Sequence, residues 1–109
     1  MNSYLKGKNA ESKAAQFLQN LGYKIIEKNF FCKGGEIDIV AFKNNTIHFV
    51  EVKSGKNFQP VYNITPQKLK RIIKCAHFYL KKHSIKSAYC ISAVIIKKDE
   101  IEFLKNITI

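Results

Sequence analysis

Apolar positions along this chain change period several times, and each change marks an element. From about Asn9 to Leu21 the residues Ala10, Ala14, Phe17, Leu18 and Leu21 recur at helical spacing, with Gly22 as a natural stop beyond them. This predicts a first amphipathic helix. Tyr23 to Phe31 is rich in Ile and aromatic residues and reads as a strand, with Lys33-Gly34-Gly35 turning the chain into the next one. Two further apolar runs, Gly35 to Lys43 and Thr46 to Lys53, flank Asn44-Asn45, and Asn tolerates the positive φ of a two-residue hairpin turn. Ser54 to Asn63 has no period and reads as a loop. Thr65-Pro66 then starts a second helix, with Thr65 as N-cap and Leu69, Ile72, Ile73, Ala76 and Leu80 forming its apolar stripe to about Lys82. His83 to Ser87 connects to a strand over Ala88 to Lys97, whose continuous apolar run indicates burial on both faces. Lys98-Asp99 turns into a short last strand, Glu100 to Leu104.

The element order is therefore α-β-β-β-α-β-β. The helical crossover between the third and fourth strands implies that they are parallel, so the expected fold is α/β, a mixed β-sheet flanked by helices. Residues 1–109 fit one domain, with no repeat or linker to divide them.

The hairpin carries the candidate chemistry. If Asn44 and Asn45 are the whole loop, Lys43 faces Thr46, and counting back sets Asp38 opposite Glu51 and Glu36 opposite Lys53. Alternation then puts Glu36, Asp38, Val40 and Phe42 on one face with Ile47, Phe49, Glu51 and Lys53. Opposed carboxylates about 5 Å apart repel by about 3 kcal/mol at an effective dielectric near 20, a pairing that stability alone would avoid. A divalent cation between them relieves the repulsion, and Mg²⁺ is commonly held by one or two carboxylates plus water and substrate phosphate. The competing reading of the same residues is an exposed charged rim at the strand ends, or a Lys53 ion pair that happens to lie beside two acids. Glu11, at the edge of the first helix's packed stripe, could reach the hairpin's polar end; the alternative reading is a first-turn glutamate that simply favours the helix dipole.

Charge adds a partner. There are 19 Lys and Arg against 8 Asp and Glu, a net charge of +11, and four of the eight acids (Glu11, Glu36, Asp38 and Glu51) belong to the proposed site. The rest of the surface is strongly basic, which suits nucleic acid. On the second helix Lys70, Arg71 and Lys74 lie off the apolar stripe, and Lys56 comes just after the hairpin, so these four are the candidate phosphate contacts. No apolar run approaches the roughly 20 residues needed to span a bilayer, and Met1 leads into polar NSYLKGKNAES. The expectation is a cytoplasmic protein with no membrane association. Cys32, Cys75 and Cys90 show no metal-binding spacing and read as reduced, mostly buried thiols. His48, His77 and His83 read as surface or strand-face residues rather than ligands.

Asp38, twelve residues, then Glu51-Val52-Lys53 resembles the bipartite core of the PD-(D/E)xK nuclease superfamily, with Ile37 where the name has proline. The wider set of Gly7, Glu11, Ala14, Leu18, Gly22-Tyr23, Asn29, Gly35 to Val40, Phe49 to Lys53, and Thr65 with Lys68 resembles the YraN family of predicted endonucleases, similar to Holliday-junction resolvases. The likeness covers Gly7 to Leu80. Two features differ: Gly55 stands where the family often has arginine, and Ile91-Ser92-Ala93 stands where an Arg-Phe-Asp segment is expected.

The resemblance implies a restriction-endonuclease-like fold, Asp38 and Glu51 as ligands of Mg²⁺ or Mn²⁺, Lys53 orienting or activating water, and Glu11 completing the catalytic set. It implies Mg²⁺-dependent hydrolysis of nucleic-acid phosphodiesters, DNA in the first place and branched DNA as a candidate substrate. By analogy with junction resolvases it is compatible with a homodimer. The rival expectation is a non-catalytic nucleic-acid-binding module that keeps the nuclease fold. A third is a protein whose basic helix contacts an acidic partner.

Overall fold

A computed structural model of the chain describes residues 3–55, 64–98 and 100–108. Its elements are α1 (Ser3–Asn20), β1 (Lys24–Cys32), β2 (Gly35–Lys43), β3 (Thr46–Ser54), α2 (Pro66–Lys82), β4 (Ala88–Ile96) and β5 (Ile101–Leu104). They come in the expected order and form one five-stranded sheet, β1-β2-β3-β4-β5, in which only β3 and β4 are parallel. This mixed α/β arrangement is compatible with a nuclease-like fold. Of the expected loop after β3, residues 56–63 lie outside the described residues, as do Lys56 and, in the later turn, Asp99.

Local chemistry explains the boundaries. Gly22, with φ +94, ends α1: its N–H donates to Gln19 O and the Tyr23 N–H reaches back to Leu18 O, the paired bonds of a glycine-terminated helix. Leu21 consequently falls in the turn and is exposed rather than part of the stripe. Asn44 and Asn45 have φ of 52 and 59, so both adopt the left-handed conformation that a tight hairpin requires. Thr65 Oγ1 accepts from the Lys68 N–H at 3.1 Å and Pro66 opens α2, as the Thr-Pro pair predicts.

The sheet has an apolar core on each face. On one side Ala10, Ala14, Ala15 and Leu18 of α1 pack on Ile39, Ala41, Val50 and Val94. On the other Ile72, Cys75, Ala76 and Tyr79 of α2 pack on Phe30, Ile37, Val40, Ile47, Phe49 and Ile91. Ile91 to Ile96 of β4 are all buried, as the run predicted.

Two cysteines correct the sequence reading. Cys32 and Cys75 form a disulfide, with Cα atoms 5.7 Å apart, while Cys90 is free. They are 43 residues apart, and only the packing of α2 across the end of β1 brings them together.

Candidate active site

The hairpin pairs as expected from Lys43↔Thr46 through Phe42↔Ile47, Ala41↔His48 and Val40↔Phe49 to Ile39↔Val50. There the ladder stops, one step short of the expected Asp38–Glu51 pair. Ile39 belongs to the core under α1, whereas Ile37 belongs to the core under α2. Two residues apart on a regular strand would share a face, so the pleat of β2 inverts at Asp38. The neighbouring strand shows the same break: Lys28 pairs with Ile39 and Phe30 with Ile37, and Asn29 between them has φ 58. Asp38 therefore does not project from the same face as Val40 and Phe42. Its Oδ2 accepts from the Val52 N–H at 2.8 Å, a side-chain bond to β3 where backbone pairing has ceased.

The expected pairing of Glu36 with Lys53 is also replaced. Glu36 pairs with Phe31 of β1, and the carboxylate beside Lys53 is Glu51, with Lys53 Nζ 3.7 Å from Glu51 Oε1. Glu51 is buried at 6% exposure, and among the described residues its nearest cation is Lys68 of α2, with Nζ 2.9 Å from the same Oε1. The family resemblance includes Lys68 without giving it a role, and its place in the helix is a second signal. It stands at the third position of a helix, where Glu or Gln would complete the cap and suit the helix dipole. A lysine there, locally unfavourable, calls for a partner elsewhere.

The electrostatics derive from these positions. Burial raises the Asp38 carboxyl from its ordinary 3.8 to about 7; Glu51, Glu36 and Glu11 push the same way, and the Val52 hydrogen bond opposes them. Burial lowers Lys53, reinforced by a hydrogen bond with Lys68 and the Lys68 charge, and only partly offset by Glu51 and Asp38. For Lys68 burial also acts downward, but hydrogen bonds to Lys53 and Glu51 and the charges of Glu51 and Asp38 outweigh it and raise the group. Glu11, on α1, adds the smallest of the contributions to Asp38. Two carboxylates and two lysine amines share one half-buried space, in which both amines approach the same Glu51 oxygen.

A pocket of about 390 Å³ opens beside them, lined by Gly35, Glu36, Glu51, Gln67, Lys68 and Arg71 among others. Of the candidate phosphate contacts, Arg71 lines the pocket, whereas Lys70 and Lys74 are exposed elsewhere on α2. Among the described residues no three His, Cys, Asp or Glu side chains cluster as a ready metal cage. The acidic pair fits Mg²⁺ chemistry nonetheless, because that ion takes one or two carboxylates and fills its remaining positions with water.

Fold and site define a small mixed α/β protein with a half-buried acidic pair and lysines at the open end of a central hairpin. The chain belongs to the uncharacterised protein family UPF0102, whose sequence model matches residues 10–97. It is 53% identical over 109 residues to a UPF0102 protein of Helicobacter hepaticus, covering 100% of this chain and 99% of the relative. Identity is 56% over 107 residues with a UPF0102 protein of Wolinella succinogenes, covering 98% and 99%. A UPF0102 protein of Helicobacter pylori strain HPAG1 matches at 52% over 103 residues, covering 94% and 90%. Among the described residues no helix is long and apolar enough to cross a membrane.

Proposed function

We propose that this site is the centre of a Mg²⁺- or Mn²⁺-dependent endonuclease acting on nucleic acid, DNA in the first place. The observation that carries the reading is geometric: where the β2–β3 ladder ends, Asp38 is held by the Val52 N–H and the buried Glu51 carboxylate is approached by Lys53 and Lys68, and burial together with Glu51 raises the Asp38 carboxyl to about 7. Such a pair is costly unless a cation or substrate chemistry uses it. The likeness to the YraN family and the PD-(D/E)xK core supports the same assignment. A homodimer and a branched-DNA substrate belong to this reading on that likeness alone, and a cytoplasmic location belongs to it on the lack of a spanning apolar run.

A bound Mg²⁺ or Mn²⁺ would be held by Asp38 and Glu51 and would supply polarisation of the phosphoryl oxygen and acidification of water. Lys53 Nζ, its proton loosened by burial and by Lys68, orients the attacking water and offsets charge developing on the phosphate. Lys68 Nζ holds Glu51 Oε1 in place, and Arg71, on the pocket wall, binds a phosphate oxygen. Glu36 and Glu11 shape the field around Asp38. The test is incubation of purified protein with branched, single-stranded and duplex DNA and with RNA, plus Mg²⁺ or Mn²⁺. Metal-dependent product that disappears in both D38A and E51A is the expected result; unchanged cleavage by the two variants would sink the assignment.

A second reading has its own observation. The 2.9 Å bridge from Lys68 already neutralises Glu51 without any metal, as a non-catalytic nucleic-acid-binding module would allow. That reading expects binding that survives chelator, falls steeply with salt, and yields no product with either metal.

A further inference from the structure

The pocket continues into an exposed row on α2. Gln67 and Arg71 line the pocket wall, and at helical spacing the same face runs on through Lys74, Phe78 and Lys82. All five are exposed, and α2 contains no acidic residue to neutralise the cations. From Arg71 to Lys82 the row is about 16 Å long at the α-helical rise.

Phe78 is out of place in a merely solvated face. It is 53% exposed, in a row otherwise made of cations and one amide. Its ring leans on Phe30 with centroids 6.2 Å apart and planes inclined by 31°, and Lys82 Nζ lies 5.7 Å from the Phe30 ring. Phe30 is itself packed edge-on by Tyr79 at 4.9 Å, so the buried aromatic has another neighbour to hold it. An aromatic surface flanked by cations is thus offered to solvent on the helix that borders the acidic pair.

Cations at intervals with a ring between them match one ligand chemistry. A single strand of nucleic acid presents phosphates to the cations and an unpaired base to the ring. A duplex keeps its base faces inside its own stack, and an acidic peptide has charge but no flat face. We propose that Arg71, Lys74, Phe78 and Lys82 form a track for a single-stranded nucleic-acid segment leading to the pocket, with Phe78 stacking on a base. This rests on the nucleic-acid reading of the neighbouring site and narrows it to substrates with unpaired bases.

The test is equilibrium binding of labelled oligothymidylate and of a duplex of equal length, in chelator so that nothing is cut. The single strand should bind several-fold tighter than the duplex. F78L, which keeps apolar packing on Phe30 but removes the stacking surface, should weaken single-strand binding about fivefold or more. The chain has no tryptophan, so F78W introduces a unique fluorophore, which oligothymidylate should quench while polyglutamate should not. Equal affinity for duplex, unaltered binding by F78L, or no quenching in F78W would overturn the proposal. The two readings fail separately: cleavage that survives in D38A and E51A sinks the active-site assignment alone, while cleavage lost in those variants with unaltered F78L binding sinks the track alone.

Discussion

The two ends of the β2–β3 hairpin are built from the same strands and obey different rules. At the turn, Asn44 and Asn45 adopt left-handed φ, Lys43 pairs with Thr46, and the ladder runs without interruption to Ile39↔Val50. Ile39 and Ala41 fill one core while Val40 fills the other, so every inward position is used for packing. At the open end the ladder stops, the pleat inverts at Asp38, and a carboxylate takes the Val52 N–H. Regular pairing secures the strands; its interruption lets a polar side chain lie among groups that a continuous ladder would have separated. The difference teaches that the site is made by ending the sheet's regularity at a chosen residue, with the closed end holding the register that makes the ending reproducible.

The sharpest way to break this contrast is at the open end. D38A and E51A should each lower metal-dependent cleavage by at least ~10²-fold, measured as initial rates at saturating Mg²⁺, while melting as cooperatively as the native chain. Loss of folding in both would instead make the open end a structural element like the closed one.

The next largest effect concerns stability against pH. Because the Asp38 carboxyl is raised from 3.8 to about 7, the folded chain keeps a proton that the unfolded chain releases between those values. Its contribution to stability is full below about pH 4 and is lost as pH rises through about 7. D38N, neutral at every pH and still able to accept from Val52, should match the native chain near pH 4 and exceed it by pH 8. The expected gain is about 2 kcal/mol, below the ceiling set by ~1.4 kcal/mol for each tenfold change in proton affinity. Denaturant titrations at the two pH values in chelator measure it, and equal differences at both would remove Asp38 from the electrostatic account.

At the closed end, N45V forces a β-branched residue into left-handed φ and should cost ~1–2 kcal/mol by thermal melting, whereas N45G should be neutral or stabilising. The smallest effect joins the two regions. T65A removes the cap that accepts from the Lys68 N–H and should cost ~1 kcal/mol. Because Lys68 begins at that cap, T65A should also lower cleavage several-fold, while N45V should change melting temperature without changing the rate on the folded fraction.

Much of this was readable in the residues. The Asn44-Asn45 turn, the Thr65-Pro66 helix start, the Gly22 stop and the buried β4 run all express local conformational preferences, which act between neighbours in sequence. The acids and Lys53 were visible for a related reason, since hairpin register converts spacing into proximity once the turn is known. That extrapolation failed past Ile39, where it assumed a pleat that the chain does not keep. Asn29, whose φ of 58 accompanies the break on β1, stands among the residues that carry the family resemblance, but nothing in its neighbours shows why its conformation matters.

What the sequence determined by itself is the order of elements, the hairpin register at its closed end, and the concentration of half the acidic residues around one place in a basic chain. Only the tertiary structure decided that Lys68 rather than Glu36 would complete the charge set, that Cys32 would meet Cys75, and that Arg71 would border the pocket while Phe78 leans on Phe30. The reason is physical. Turns, caps and strand pairing are set by contacts a few residues apart, whereas the docking of α2 against β1 and β2 is set by burial of two apolar surfaces, which have no periodicity relating one to the other. Its rotation and reach fix where each exposed residue of α2 stands, and with them the chemistry at the open end of the hairpin.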